Sequence, residues 1–126
     1  MAGSVDIQRI GQIHITVSDT DRAVEFYRDK LGLKFLFRAQ QMAFFDCGGV
    51  RLMLAPPEAD GVRYSSILYL VVDDIEKSYH ALEAGGVKTV TKPRLIAKMP
   101  DHDLWMAGFR DPDGNLLELM SEVKRK

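Results

Sequence analysis

Glu118 is the residue of this chain best suited to do chemistry, a carboxylate set between Leu117 and Leu119. Strand alternation puts it on the face that carries Met53 and Met120, and apolar neighbours raise a carboxyl pKa toward the range of a general base. Proton abstraction next to a carbonyl needs donors for the oxyanion that develops, and His14, Gln12 and Tyr69 lie on that face. The same groups suit a divalent ion, which wants imidazole, carboxylate or several oxygens. His14 falls about 7 Å along its strand from Gln12 at ~3.4 Å per residue. Glu118, His14 and Gln12, helped by His102 or Asp103, could therefore make up such a site. Each residue also has an ordinary reading. Glu118 paired with Arg51 or another cation is a satisfied polar group, His14 is a neutral histidine hydrogen-bonded within a pocket, and His102 is a solvated loop residue.

Strands and helices must hold these groups in place. In Gln12-Ile13-His14-Ile15-Thr16-Val17 the apolar residues alternate with polar ones, the period of a half-buried strand. Ser18 or Asp19 can cap a helix whose Ala23, Phe26, Tyr27 and Leu31 form one stripe, ended by Gly32. Apolar runs follow around Leu33 to Phe37 and Met42 to Phe45. Cys47-Gly48-Gly49 then turns into Val50 to Leu54, which Pro56-Pro57 stops.

After a polar linker the same programme returns. Gln12 to Ser18 recurs as Ile67 to Asp73, Asp74 caps a helix carrying Ile75, Tyr79 and Leu82, and Gly85-Gly86 ends it as Gly32 ended the first. Leu117-Glu118-Leu119 repeats Leu52-Met53-Leu54, with Gly114 in the place of Gly49. The duplication predicts an α+β fold, a single domain over 8–123 made of two tandem βαβββ modules. Module one covers about 10–56, the linker about 57–64 and module two about 65–122. The modules are expected to form a curved mixed sheet around a cavity, with helices on its outer face.

Alternation also assigns the faces. Ile13, Ile15, Leu52, Leu54, Leu68, Leu70, Leu117 and Leu119 are uniformly aliphatic, as residues beneath helices are. The opposite face mixes Gln12, His14, Arg51, Met53, Ile67, Tyr69, Glu118 and Met120, which suits an apolar ligand cavity with a few placed polar groups. A merely solvated face is the alternative. Module two is longer by an insertion between Val90 and Leu104. The segment Pro93 to Trp105 is expected to be a loop closing over a ligand, with Trp105 stacking on it; burial of Trp105 at the start of the next strand is the plainer reading. Asp111-Pro112-Asp113-Gly114-Asn115 reads as a turn whose Asp side chains satisfy its own backbone, not as a calcium site.

Composition narrows the partners. With 17 basic and 18 acidic residues, a net charge of −1 and no basic stripe, nucleic acid is excluded as an expectation. No apolar run approaches the ~20 residues of a membrane span. The single cysteine, Cys47, can form no disulfide within the chain, and Met1 to Ser4 lack the pattern of a signal peptide. A cytoplasmic protein that binds a small molecule is therefore expected.

The duplicated pattern resembles the vicinal oxygen chelate superfamily. The resemblance rests on Val17-Ser18-Asp19 leading to Phe26-Tyr27 and Leu31-Gly32, and on Asp111 to Asn115 before Leu117-Glu118-Leu119. That superfamily includes glyoxalase I, extradiol dioxygenases, methylmalonyl-CoA epimerase, fosfomycin resistance enzymes and the bleomycin resistance protein. The resemblance implies a homodimer. It also implies metal ligands at Gln12, Met53, Ile67 and Glu118, of which Glu118 alone is a good one, since a neutral amide, a thioether and an alkyl chain suit a hard divalent ion poorly. The expectation is a protein with a degraded metal site and no cofactor, binding a small organic molecule through Gln12, His14, Met53, Ile67, Tyr69, Trp105 and Met120. The alternative is a lyase, isomerase or dioxygenase using a divalent ion around Glu118 and His14.

Overall fold

The computed structural model describes residues 5–57 and 61–125. Met1 to Ser4, part of the linker expected over 57–64, and the last residue of the Lys124-Arg125-Lys126 tail lie outside the described residues. The duplication is present in the element order. The first half runs β1 (Gln12–Thr16), α1 (Thr20–Glu25), β2 (Lys34–Ala39), β3 (Met42–Cys47) and β4 (Val50–Ala55). The second runs β5 (Leu68–Val71), α2 (Ile75–Ala84), β6 (Lys88–Thr89), β7 (Arg94–Lys98), β8 (His102–Arg110) and β9 (Leu116–Lys124).

Each half makes its own mixed sheet. Sheet one has the order β1-β4-β3-β2; in sheet two β5-β9-β8 is continued by β6 and then β7 along the far edge of β8. The first and last strands of each half pair in parallel, setting Gln12 beside Arg51, His14 beside Met53 and Tyr69 beside Glu118. The helices start where the aspartates direct. Asp19 accepts the Arg22 N–H and Asp74 that of Lys77, both at 3.1 Å. Beyond Glu25 the first helix widens into a π turn over Phe26–Lys30, and the neighbours Phe26 and Tyr27 are both buried.

One apolar core draws on both halves, with Ile15, Val17, Phe45 and Leu54 from the first and Ile75, Tyr79, Phe109 and Leu117 from the second. The halves are also joined by polar groups. In the turn after β8, Asp111 accepts the backbone N–H groups of Asp113 and Asn115 at 2.9 Å, as the sequence implies. Its other oxygen accepts the buried Tyr27 hydroxyl at 2.9 Å and the Asn115 amide at 2.8 Å. Asp113 accepts the Ser18 N–H at 2.8 Å, and Asn115 donates to the Thr16 carbonyl at 3.0 Å. The turn of module two thus clasps the β1–α1 junction of module one.

The inserted segment departs from expectation. Pro93 to Trp105 is not a closing loop but the body of a hairpin, β7 paired antiparallel with β8 through Arg94↔Met106 and Leu95↔Trp105. A register slip between Leu95 and Ala97 breaks the period of two, which hid the strand.

Candidate functional site

The face of each sheet turned away from the helices carries the candidate residues in two sets. On sheet one, β1 offers Gln12 and His14, β4 offers Arg51 and Met53, and Phe44 of β3 pairs with Met53. On sheet two, Tyr69 and Met120 flank Glu118, with Ile67 just ahead of β5. Among the described residues no hydrogen bond or ion pair links the two sets.

Glu118 is 8 % exposed although it faces away from the helices. Gly108, its partner across β8 and β9, makes room for it: a Cβ there would lie 3.0 Å from Glu118 Oε2 and 3.1 Å from Thr91 Oγ1. Glu118 Oε1 is buried without a hydrogen bond, and the nearest cation, Arg94 Nη2, stands 3.7 Å away. Arg94 itself is held by Thr91 Oγ1, to which Nη1 donates at 2.6 Å. The cation beside Glu118 is thus Arg94 and not Arg51. The pair is too long for a hydrogen bond.

His14 is half-buried, and its hydrogen bonds show which ring nitrogen donates. The Thr16 hydroxyl donates to the Tyr64 carbonyl at 2.8 Å, because a carbonyl can only accept. The contact of 3.1 Å between His14 Nε2 and Thr16 Oγ1 therefore has the imidazole as donor. Nδ1 is buried and, among the described residues, has no partner.

Gln12 is already engaged. Its Oε1 accepts Arg51 Nε at 2.9 Å, and its amide nitrogen faces the Met53 sulfur at 3.7 Å. The Arg51 guanidinium carbon lies 5.6 Å from the centre of the Phe44 ring, which stacks on Phe37 at 4.5 Å. Phe44, Thr91 and Arg94 carry no signal in the sequence, whereas Arg51 is placed there on the correct face but with Glu118 as its partner. For Phe44 the adjacent Phe45 blurs the alternation, although Arg51 shares the parity of Gln12.

Three expected site residues lie elsewhere. Trp105 shares its parity on β8 with the buried Ala107 and Phe109, so it packs against the core on the helix side, beside Ile75 at the start of α2. It cannot stack on a ligand held at Glu118. His102 is bound by Asp101 at 2.7 Å and Glu122 at 3.2 Å, and Asp103 by Arg125. Both sit at the opposite end of β8 from Gly108, roughly 15–20 Å away at ~3.3 Å per residue, out of reach of Glu118.

The donor set does not fit the metal that the resemblance implies. Ile67 has no donor atom, Met53 offers a thioether, and the oxygen of Gln12 is spent on a guanidinium whose charge repels a cation. Among the described residues no three His, Cys, Asp or Glu side chains gather as metal ligands would.

Comparison with known proteins agrees with the architecture. The family model described as Glyoxalase/Bleomycin resistance protein/Dioxygenase superfamily matches residues 9–119. An uncharacterized protein of Bacillus subtilis (strain 168), YraH, is 34% identical over 126 residues, covering 86% of this chain and 94% of its own. The metallothiol transferase FosB of Staphylococcus haemolyticus (strain JCSC1435) is 32% identical over 120 residues, covering 90% and 83%. A superfamily member from Sphaerobacter thermophilus superposes with a TM-score of 0.79 at 26% identity, over 92% of this chain and 98% of that one.

Proposed function

The chain belongs to the Glyoxalase/Bleomycin resistance protein/Dioxygenase superfamily, and on that premise we propose that the open face of its sheets binds a small organic molecule, without a metal ion. The observation that carries this reading is Glu118 Oε1, an oxygen removed from water with no hydrogen bond among the described residues. A buried acceptor left without a donor costs about 1–3 kcal/mol, which a ligand N–H or O–H would recover. Tyr69 and Met120 beside it supply the apolar wall that such a ligand needs. The reading is one of binding. Proton abstraction by Glu118 would also call for an oxyanion donor, and Tyr69, its register partner, is the group in place.

A metal-dependent lyase, isomerase or dioxygenase is the second reading, favoured by Glu118 Oε1 and His14 Nδ1 both being free. Metal content of protein purified without chelator, joined to thermal unfolding with EDTA and with Mn²⁺, Ni²⁺, Zn²⁺ and Fe²⁺, separates the two. The proposal expects little metal and no shift with any ion. It also expects a library compound that at a hundred times its Kd raises Tm by about 10 °C, an effect lost in Glu118→Leu. Near-stoichiometric metal whose removal lowers Tm would overturn it. A second copy of the chain is the proposed cover for the edge strand β5 and the residue ahead of it, where Ile67, Tyr69 and Val71 are 45%, 50% and 71% exposed. Sedimentation of a monomer at micromolar concentration would remove that part.

A further inference from the structure

We propose that the open face of sheet one is an oxyanion site, with Arg51 as the group that reads the anionic end of the ligand and His14 as the group that reads a hydroxyl or amine beside it. This rests on the small-molecule reading above and names the chemical class of what is bound.

Arg51 has the features of a prepared fork. Its Nε is tied to Gln12 Oε1 at 2.9 Å and its plane lies near the Phe44 ring, so the side chain has lost much of the freedom that an exposed arginine keeps. Among the described residues its two terminal nitrogens have no partner, and no carboxylate comes within 4.0 Å of them. Those are the nitrogens that grip a carboxylate or phosphate with two parallel hydrogen bonds. Arg51 borders a recess of about 510 Å³ together with Arg9, Gln12, Leu36 and Asp46. Two guanidinium groups against one carboxylate leave that recess positive in a chain whose net charge is −1.

His14 supplies the second point of recognition. It pairs with Met53 in the row next to Gln12 and Arg51, toward which the Arg51 head leans in approaching Phe44. With Nε2 donating to Thr16, Nδ1 is the nitrogen that, in the neutral imidazole, accepts. The ligand must therefore bring a donor to this spot and an oxyanion to Arg51. The half-exposed Phe37, stacked on Phe44, is an apolar surface for the rest of it.

The test is an amide chemical-shift titration of the full chain with mandelate, mandelamide, phenylacetate and phenyl phosphate, followed at β1, β4 and β9. Mandelate is expected to bind at least about ten times more tightly than mandelamide, the effect of a charge-assisted bidentate contact. Phenylacetate, which lacks the hydroxyl, should fall between them. Arg51→Gln should bring the acid-to-amide ratio close to one, with Arg51→Lys intermediate, and His14→Leu should abolish the advantage of mandelate over phenylacetate. The same spectra report whether each variant is folded. Phenyl phosphate tighter than mandelate assigns the site to phosphate esters, and the reverse to carboxylates. Equal binding of acid and amide overturns the oxyanion proposal while the small-molecule reading stands. Absence of any shift at β1 and β4 with all four probes overturns the oxyanion proposal, while a library compound that binds at β9 keeps the small-molecule reading standing.

Discussion

Removing one hydroxyl should expose how the two modules are tied. Tyr27 is fully buried and donates to Asp111 at 2.9 Å across 84 residues of sequence. In Tyr27→Phe the ring still fills its place against Phe26 and Phe45, and Asp111 keeps its bonds from Asn115 and Asp113. The loss is therefore one hydrogen bond to a charged acceptor, worth about 2 kcal/mol within a usual range of 1.5–3. The pH dependence is the sharper signature. Burial, and after it the negative charge of Asp111, pushes the Tyr27 phenol far above its ordinary pKa. The folded protein then keeps a proton that the unfolded chain releases above a pH of about 10. Stability from this group is whole below that pH and is lost as pH rises, by about 1.4 kcal/mol per pH unit. Tyr64, Tyr69 and Tyr79 are common to both proteins and cancel in the difference. The gap between wild type and variant, about 2 kcal/mol from pH 7 to 9, should shrink to under about 1 kcal/mol near pH 11. Urea unfolding followed by far-ultraviolet circular dichroism at each pH measures it. A gap that stays constant through pH 11, or no gap at neutral pH, would refute the assignment of Tyr27 as the buried donor to Asp111.

Two further outcomes follow from the same structure. Gly108→Ala has no strained backbone to blame, yet its Cβ would meet the Glu118 carboxylate at 3.0 Å. It should cost about 1–3 kcal/mol of stability by displacing Glu118, and stability unchanged in chemical denaturation would show that the carboxylate moves freely. Cys47 is half-buried, and desolvation followed by the neighbouring Asp46 raises its thiol pKa. It should react with iodoacetamide at pH 8 more slowly than free cysteine, with urea restoring the rate; a faster reaction in the native protein would contradict the burial.

The elements that were legible in the sequence are those whose two faces differ. In β1, Ile13 and Ile15 against Gln12 and His14 settle which side is wet, and Leu117 and Leu119 do the same for Glu118 in β9. The recurrence of these strands in order declared the duplication and with it the fold. Legibility ends where both parities are apolar. In Leu104-Trp105-Met106-Ala107 nothing in the residues says that Trp105 turns to the helices, and the slip near Ile96 disguised β7 altogether. The site was partly readable. Glu118 and His14 stand out by type, but their partners, Arg94 and Thr91 for one and Thr16 for the other, depend on pairings between strands that no local pattern encodes. Arg51 was visible on the correct face as a counterion for Glu118; its engagement with Gln12 instead follows from the parallel register of β1 and β4.

The clasp formed by Asp111, Asp113 and Asn115 bears on how this protein is made. Synthesis proceeds from the amino end, so the first five elements leave the ribosome while the residues that complete their junction are still unsynthesised. Until Asp111 and Asn115 appear, Tyr27 has no acceptor and the Thr16 carbonyl lacks its side-chain donor. A nascent chain halted at residue 66 would lack both partners and half of the shared core, so the first module is completed only by residues that are synthesised near the end.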